Sequence, residues 1–365
     1  MDEVDINSLI VSYQDVKDDK PLGKDDYDRI KSCLSSERIN VFFSNPFLSD
    51  LSQGMLFLQR DGEVVVGHAT FFPTNLKAGD VIENCSGGSN LYVVPQYRKY
   101  ELGTDILLYP ITDTKREFLI YADLSETALA LYRILCFQDF SLKKYLQPRK
   151  SAVVFELKGC HGVLMKAFEK PLDWLLKTYR GIYSCLNFSS WKYNVKQVRQ
   201  VPEWIDDIVL NDGHKYMEVH DHHWMQWCLD NMFLQKEGHK NSFFVIERGG
   251  EPFGFFFTKN RIHHLEKYHV SPKKFCSIME WGSKDESVLG ESEIYDLCMK
   301  TIDNDVDIVE LATNDVKTEK KLKRQLFIQR GEHHVVFKDI HNKYKEAKDQ
   351  TLWRIRFGYS DSIFN

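Results

Sequence analysis

The sequence predicts a mixed α/β fold made of two similar halves, each with a mixed, mostly antiparallel central sheet flanked by helices. Two observations support this prediction. The segments "MLFLQRDGEVVVGHATFF" (55–72) and "SFFVIERGGEPFGFFFTK" (242–259) are both apolar strand pairs joined through Arg-x-Gly-Glu, which is the turn chemistry of a β-hairpin. The segments 119–140 and 307–330 both have the pattern of a buried strand, a polar cap and an amphipathic helix.

The repeated segments share nearly the same offset. Three pairs of corresponding residues are separated by 188, 189 and 190 positions: Arg60 and Arg248, Ser125 and Asn314, and Phe137 and Phe327. This regularity indicates a duplication. In order, each half is expected to contain a strand, one or two helices, the hairpin, a longer strand, a helix, a strand, a helix and a closing strand, which is typical of mixed α/β domains.

The ends of the two halves follow from the same pattern. Closing strands are predicted at "SAVVFEL" (151–157) and "HHVVFKD" (333–339). The connecting segment has helical periodicity interrupted by Pro171, and a break is expected at Gly181. We therefore expect three parts: an N-terminal domain over 1–158, a helical connector over 159–188 and a C-terminal domain over 189–365.

Length, charge and cysteine content limit the class of protein. A chain of 365 residues suits two domains, and a formal charge of -5 gives no reason to expect nucleic acid as a partner. The N-terminus lacks a signal-peptide pattern and no apolar run approaches ~18 residues, so no membrane partner is expected. Eight widely spaced cysteines without a C-x-x-C pair favour free thiols in a reducing cytoplasm.

The stretch "LYVVPQYRKYELGTDILL" (91–108) predicts a strand, a basic turn and a helix start. Such a turn directs backbone N–H groups and the positive end of a helix dipole at one point, which favours phosphate. Arg98 and Lys99 add positive charge, Gly103 permits close backbone approach, and Thr104 can cap the helix or donate its hydroxyl. The alternative is an ordinary turn whose basic residues face water.

The same stretch resembles the acyl-CoA-binding motif of the GNAT superfamily of N-acetyltransferases. That motif has the pattern apolar-x-V-x-P-x-Y-R-G-x-G-I-G. The segment "SETALALYRILCFQDF" (125–140) is similar to a later helix of the family, N-x-x-A-x-x-L-Y-x-x-x-G-F, with agreement at Ala128, Leu131, Tyr132 and Phe137. The resemblance covers roughly residues 5–158 and implies that acetyl-CoA or another acyl-CoA is the co-substrate.

Several positions depart from the family pattern. Glu101 and Cys136 replace glycines, and Ser125 replaces the usual asparagine. A carboxylate near a pyrophosphate costs on the order of several kcal/mol, unless Glu101 turns outward to pair with Arg98 or Lys99. In the second half, Asp285, Glu286 and Glu291 surround Gly290 at the equivalent turn. We therefore expect that the second copy keeps the fold and has lost the CoA site.

The resemblance also implies roles in the chemistry. Backbone groups of Leu91, Tyr92 and Val93 hold the carbonyl and the pantetheine, and Ser125 is expected in the same binding site. Tyr132 is the general acid that protonates the leaving thiolate, the alternative being a core tyrosine. For the general base, Glu83 heads the same strand, and Ser89 or Asn90 can order a water. The alternative for Glu83 is a solvated strand-end carboxylate.

No metal is expected. The run "HDHHW" (220–224) places only His220 and His223 on one helix face, and no closed Cys/His set appears, so a surface polar cluster is favoured over a zinc site. The basic run 317–324 is interpreted as a solvated helix face.

The sequence thus favours an N-acyltransferase that moves an acetyl or other acyl group from acyl-CoA to an amine of a small molecule or peptide, with the acceptor in the cleft against the second domain. The alternatives are a non-catalytic binding or scaffold protein, for which Glu101 is the main argument, and an enzyme similar to the FemX-like peptidoglycan aminoacyltransferases, which also have tandem GNAT folds. The sequence does not determine the acceptor, the acyl chain or the oligomeric state.

Overall fold

The computed structural model describes residues 5–18, 36–112, 116–157, 163–186, 191–231, 239–263 and 272–360. The strands are β1 (Ile6–Ser12), β2 (Gly54–Asp61), β3 (Val64–Ala78), β4 (Val81–Val93), β5 (Phe118–Ala122), β6 (Gln138–Pro148), β7 (Tyr193–Val198), β8 (Tyr216–Glu218), β9 (Lys240–Arg248), β10 (Glu251–His263), β11 (Lys273–Ser283), β12 (Ile308–Thr313) and β13 (Ile328–Asp339).

The α-helices lie between these strands. They are α1 (Tyr13–Lys17), α2 (Ser36–Phe43), α3 (Leu102–Thr112), α4 (Glu126–Ile134), α5 (Ser151–Leu157), α6 (Val163–Leu186), α7 (Ile205–Leu210), α8 (His222–Asp230), α9 (Glu291–Thr301) and α10 (Val316–Arg324). Short 3-10 helices cover Pro95–Tyr100, Lys345–Lys348 and Gln350–Leu352.

All thirteen strands form one sheet in the order β1-β2-β3-β4-β5-β13-β6-β12-β11-β10-β9-β7, with β8 paired to β3. The pairs β4–β5 and β11–β12 are parallel, and the other pairs of the described sheet are antiparallel. The prediction of a mixed, mostly antiparallel sheet flanked by helices is confirmed. The sequence predicted one sheet in each half, however, whereas the structure joins both halves in a single sheet.

The halves are joined because they exchange their last strands. β13 of the second half lies between β5 and β6 of the first half, and β6 pairs on its other side with β12. Each half therefore completes the sheet of the other. The prediction of a strand at "HHVVFKD" is confirmed within β13.

The predicted closing strand at 151–157 is wrong, because this segment is helix α5. Its apolar side chains pack as a short helix, with Val153 buried against Phe275 and Ile308. The actual strand, β6, is less apolar: the consecutive residues Lys143 and Lys144 form ion pairs of 2.6 and 3.0 Å with Glu319 of α10 and Glu310 of β12. Because these charges find their partners only in the folded protein, hydrophobicity alone does not identify β6 as a strand.

The connector also differs from its predicted form. α6 runs from Val163 to Leu186 without a break at Pro171 or Gly181. A single glycine costs a helix only about 1 kcal/mol, which the half-buried Leu172 and Leu176 offset. The predicted domain limits at residues 158 and 188 lie outside the described residues, so the division into domains stays a prediction.

The two faces of the sheet are covered differently. On one face, a continuous core joins both halves and includes Phe72 and Phe118 of the first half with Phe243 and Met279 of the second. On the other face, the core under α3 and α4 is separate from the core under α9 and α10. Adjacent strand residues point to opposite faces, so Phe71 belongs to the second face.

A buried charged network ties β8, β11 and the C-terminal segment together. His220 Nδ1 lies 2.9 Å from a Glu280 oxygen, and its Nε2 lies 3.3 Å from a Glu218 oxygen at an angle unsuited to a hydrogen bond. Glu280 also accepts from Arg356 Nε at 2.9 Å, and Glu218 accepts from the Ser360 backbone N–H at 2.7 Å. Burial opposes charge on the imidazole, but the two carboxylates outweigh it and raise the pKa of His220 to about 9.

The predicted surface cluster at 220–224 is therefore wrong for His220, which is 1 % exposed. The following residues have local roles at the start of α8. Asp221 caps the helix by accepting from the Trp224 N–H at 2.9 Å, and His222 Nδ1 lies 2.5 Å from Asp206.

His220 should make protein stability depend on alkaline pH. Its folded pKa of about 9 lies above the ordinary value near 6.5, so its contribution is complete below pH 6.5 and is lost as pH rises through 9. We expect His220→Gln to lower the free energy of unfolding by on the order of 3 kcal/mol at pH 6, with the difference narrowing toward pH 10. Urea unfolding of both proteins at several pH values measures this difference in the free energy of unfolding.

His333 is the matched control, because burial lowers its pKa to about 4. Its contribution is present above pH 6.5 and is lost as pH falls through 4, so the deficit of His333→Gln should narrow in acid and not in base. A His220→Gln deficit that is independent of pH would contradict the charged network.

Candidate active site

The parallel strands β4 and β5 separate partway along their length. They pair over three residues each, from Cys85 opposite Phe118 to Gly87 opposite Ile120, and no pairing continues beyond Gly87 in the described chain. Past this point, the N–H and C=O groups on this side of β4 have no strand partner. They are available to hydrogen-bond a ligand in the gap between the strands.

A β-bulge lies in β4 at this gap. The register against β3 shifts between Thr70 opposite Ser89 and His68 opposite Tyr92, which leaves one extra residue on β4. Asn90 has a φ of 56°, a left-handed conformation that asparagine tolerates better than most residues. Its Nδ2 is buried without a hydrogen-bond partner. The bulge thus presents an unsatisfied amide donor beside the free strand edge.

A cavity of about 230 Å³ occupies the gap under α3 and α4. Five residues that the sequence analysis proposed for the site line it: Ser89, Asn90, Leu91, Ser125 and Tyr132. Two other polar residues in its wall, Tyr121 and Asp123, were not predicted. Apolar side chains such as Phe71, Leu107 and Leu124 complete the wall, so the cavity suits a slender group that carries both polar and apolar atoms.

Two tyrosine rings pack together in the cavity wall. Tyr132 of α4 is 3 % exposed, and its ring centroid lies 4.8 Å from Tyr121 and 4.9 Å from Phe137. The Tyr121 hydroxyl is buried without a partner, and burial raises its pKa well above its ordinary value. Gly88 makes room for this ring, because a Cβ there would lie 2.1 Å from it. The Tyr121 phenol therefore stays protonated at neutral pH and lacks an acceptor.

The basic turn after β4 is the 3-10 helix Pro95–Tyr100, which leads into α3. Arg98 is exposed, and its Nε donates to the Val93 carbonyl at 3.1 Å. Lys99 is also exposed, with Nζ 4.8 Å from the ring centroid of Tyr100. The two cations thus lie at the N-terminal end of α3, where an anion is favoured.

Glu101 joins this turn to α3. It has a φ of 59°, the left-handed conformation for which the family's glycine is suited. Its side chain is exposed, and within the described chain it forms an ion pair with neither Arg98 nor Lys99. An exposed carboxylate is screened by water, so its repulsion of a bound phosphate is smaller than for a buried one.

Gly103 and Thr104 have positions other than those expected. A Cβ at Gly103 would lie 3.2 Å from Leu131 of α4, so the glycine allows the two helices to approach closely. Thr104 is not the helix cap, because α3 begins at Leu102. The backbone N–H of Thr104 donates to the Glu101 carbonyl at 2.9 Å as part of the first helical turn.

The remaining predicted binding residues lie beside the cavity. The side chain of Tyr92 is 46 % exposed and contacts the His68 ring at 5.6 Å, on the opposite face from the cavity. Val93 packs against the core under α3 and α4. Ser125 caps α4 by accepting from the Ala128 N–H at 3.2 Å. For Tyr92 and Val93 the prediction concerned backbone groups, and it stays a prediction.

Glu83 is not in the cavity wall. It lies six residues before Ser89 on β4, which corresponds to roughly 20 Å along the strand. Its carboxylate accepts from Lys343 Nζ at 2.5 Å and from the Tyr344 hydroxyl. Burial alone would raise the pKa of Glu83, but these two partners outweigh it and lower the pKa. The structure does not bring this candidate base to Tyr132.

The second half has an equivalent gap. β11 and β12 pair in parallel from Phe275 opposite Ile308 to Ser277 opposite Glu310, and a cavity of about 660 Å³ lies beyond, beside the starts of α9 and α10. The C-terminal segment also lines this cavity, through Arg354 and Arg356. Their guanidinium groups lie over the ring of Trp281, which is another lining residue.

Two of the three acids predicted at this gap line its cavity. Glu286 forms an ion pair with Arg354. Glu291 accepts from the Tyr295 and Thr313 hydroxyls, each at 2.9 Å, and burial raises its pKa. The third, Asp285, instead accepts from the backbone of the turn that follows it. At this turn carboxylates stand where the first gap has Arg98 and Lys99, and the cations of this cavity come from other segments. Whether this copy has lost a CoA site stays a prediction.

The bulge beside the first cavity was not predicted, although the sequence carries a signal for it. Gly87 and Gly88 are consecutive glycines inside an otherwise strand-forming segment, and Asn90 follows them. Glycine within a strand indicates a bulge or a close approach of another group, and asparagine tolerates the left-handed conformation of a bulge. Tyr121 carried no such signal, because a tyrosine in a buried strand is ordinary.

The described residues contain no group of three or more His, Cys, Asp or Glu side chains arranged to hold a metal ion. Among the helices of the described chain, none is both long and apolar enough to cross a membrane.

Comparison with known proteins gives structural matches alone. No family model matches the sequence, and no curated protein matches it. A GCN5-related N-acetyltransferase from Anabaena variabilis superposes with a TM-score of 0.55 at 9% identity, over 92% of this chain and 73% of its own. Saccharomyces cerevisiae N-myristoyltransferase with bound myristoyl-CoA superposes with a TM-score of 0.55 at 12% identity, over 92% of this chain and 79% of its own.

Eis1 from Mycobacterium abscessus is similar to the same degree, with a TM-score of 0.52 at 11% identity, over 94% of this chain and 76% of its own. At identities as low as these, the structural similarity is evidence for a shared fold alone. Each match covers more than nine-tenths of this chain and therefore includes parts of both halves. The chain therefore has the fold of the GNAT superfamily, as the motifs at 91–108 and 125–140 predicted.

Proposed function

We propose that this protein transfers an acyl group from acyl-CoA to an amine, in the cavity between β4 and β5. The observation that carries the proposal is the cavity itself, which combines a free strand edge, a bulge and Tyr132 in its wall. Fold alone does not determine function, so the argument rests on the chemistry of these groups.

The unsatisfied polar atoms of the cavity fit an acyl-CoA arm. Asn90 Nδ2 and the Tyr121 hydroxyl are both buried donors without partners, and a pantetheine arm carries amide carbonyls that can accept from them. The free N–H groups of β4 near Leu91 are suited to hold the thioester carbonyl. The diphosphate of CoA would lie at the start of α3 beside Arg98 and Lys99.

The reaction then needs two proton transfers. The amine nitrogen attacks the thioester carbon, the new C–N bond forms, and the C–S bond breaks. Tyr132 donates its phenolic proton to the departing thiolate and is protonated again by solvent. The proton lost by the amine passes to a carboxylate or to water. Because Glu83 lies outside the cavity, we assign that role to Asp123, an exposed carboxylate in the cavity wall.

Binding of acetyl-CoA tests the site directly. In calorimetric titration we expect the protein to bind acetyl-CoA and Arg98→Ala to bind it about 10- to 100-fold more weakly, because a charge-assisted hydrogen bond to phosphate is lost. Arg133→Ala is the matched control, since Arg133 is also exposed but forms an ion pair with Asp139 away from the cavity. Absence of binding at millimolar acetyl-CoA would reject the acyl-CoA proposal and favour the scaffold alternative.

Substitution of Tyr132 tests the chemistry separately from binding. Tyr132→Phe keeps the ring packing and removes the proton donor, so we expect unchanged affinity for acetyl-CoA and a loss of turnover of about 10²-fold or more. Thiol release with a panel of small amines and peptides measures turnover. Tyr97→Phe, whose hydroxyl donates to Asp61 at 2.7 Å outside the cavity, should be fully active. Equal activity of Tyr132→Phe would remove Tyr132 from the mechanism.

A further inference from the structure

A third cavity lies apart from both strand gaps, between α6, the end of β6 and the helices α9 and α10. Its volume is about 100 Å³. Its charged lining residues are Arg149, Arg180, Asp296 and Lys300. Nothing in the proposed acyl transfer uses these residues.

Arg180 of α6 is held in a defined orientation. Its Nη1 donates to the Arg149 carbonyl at 2.9 Å and its Nη2 donates to the Pro148 carbonyl at 2.8 Å. Its Nε is buried without a partner. The guanidinium is thus attached to the backbone of β6 and the residue after it, and in the described chain it forms no ion pair with a carboxylate.

Arg149 is half-buried, and within the described chain its guanidinium makes no hydrogen bond and no ion pair. A partly buried cation without an anion is unfavourable, because burial removes water that nothing replaces. The pKa values show the same conflict. Burial lowers the pKa of Arg149, and burial together with Arg149 lowers the pKa of Arg180 to about 10.

The carboxylates of this region have other partners. Asp296 forms an ion pair with Lys321 and accepts from Gln325 Nε2. Asp173 of α6 accepts from the Ser151 N–H at 2.6 Å. With Asp296 balanced by Lys321, the cavity keeps the positive charge of Arg149 and Arg180.

We propose that this cavity binds a phosphate monoester group, held by the guanidinium groups of Arg149 and Arg180. Guanidinium donors match the oxygens of phosphate in pairs, and a space of about 100 Å³ admits one such group and not a nucleotide. The group can belong to a free ion or small metabolite or to a lipid headgroup. Phe168, Trp174 and Leu175 of the same helix, α6, are more than half exposed, which is why the lipid source is tested as well.

The test uses the full-length protein carrying Arg98→Ala, so that phosphate binding at the basic turn does not contribute. Acetyl-CoA is left out, because CoA itself carries a phosphate monoester. Calorimetric titration with inorganic phosphate should give one site. Arg149→Gln should lower the affinity for phosphate at least 10-fold. This variant should fold, since the Arg149 guanidinium makes no contact that the fold needs. Arg180→Lys keeps the charge but loses the paired donors, so it should also lower the affinity for phosphate.

The protein with Arg98 intact is the control, and its affinity for phosphate at this cavity should be the same. A parallel arm measures flotation with vesicles of phosphatidylcholine with and without phosphatidic acid. Binding to phosphatidic acid vesicles that depends on Arg149 would identify a lipid source, and binding to the free ion alone would identify a soluble one. The proposal is overturned if neither probe binds, or if both bind equally to Arg149→Gln.

Discussion

The placement of β13 between β5 and β6 is the constraint on which the rest of the structure depends. β5 has only five residues, and its pairing with β4 ends at Gly87 opposite Ile120. The last two residues of β5 therefore have no partner on β4. β13 pairs with all five residues of β5, from Phe118 to Ala122. The position of β5, and with it the width of the first cavity, is therefore set by a strand from the other half of the chain.

The exchange also explains why one core is shared while two cores are separate. A strand inserted from the other half carries its side chains onto both faces of the sheet. Val335 and Phe337 of β13 extend the continuous core, whereas Val336 joins the core under α3 and α4. The network around His220 adds a second connection, because β8 pairs with β3 of the first half. Separating the halves would expose strand edges and buried charges together.

The two strand gaps have the same topology but different chemistry. The first is lined by tyrosines and an unsatisfied amide, with cations at the start of its helix. The second is lined by carboxylates and by arginines of the C-terminal segment. Because the chemistry of the two gaps differs, the proposed acyl-CoA site is assigned to the first gap alone.

Sequence patterns predicted the hairpins, the repeated strand-helix units, the GNAT fold and the residues Leu91, Ser125 and Tyr132 of the cavity. These features are local, so periodicity and turn chemistry can reveal them. The strand exchange is not local: β6 contains lysines whose partners lie more than 160 residues away, and "SAVVFEL" has the composition of a strand but forms a helix. His220 likewise has no signal in sequence, because its two carboxylates come from separate strands.

Hydrogen exchange with and without acetyl-CoA tests the central claim most directly, because it reports which gap the ligand occupies. The account predicts slower exchange in 87–93, 98–104 and 121–132, where β4, the basic turn and α4 border the first cavity. It predicts no change in 278–293 and 313–318, which border the second. Protection confined to the second set of segments, or in neither set, would contradict the assignment of acyl-CoA to the gap between β4 and β5.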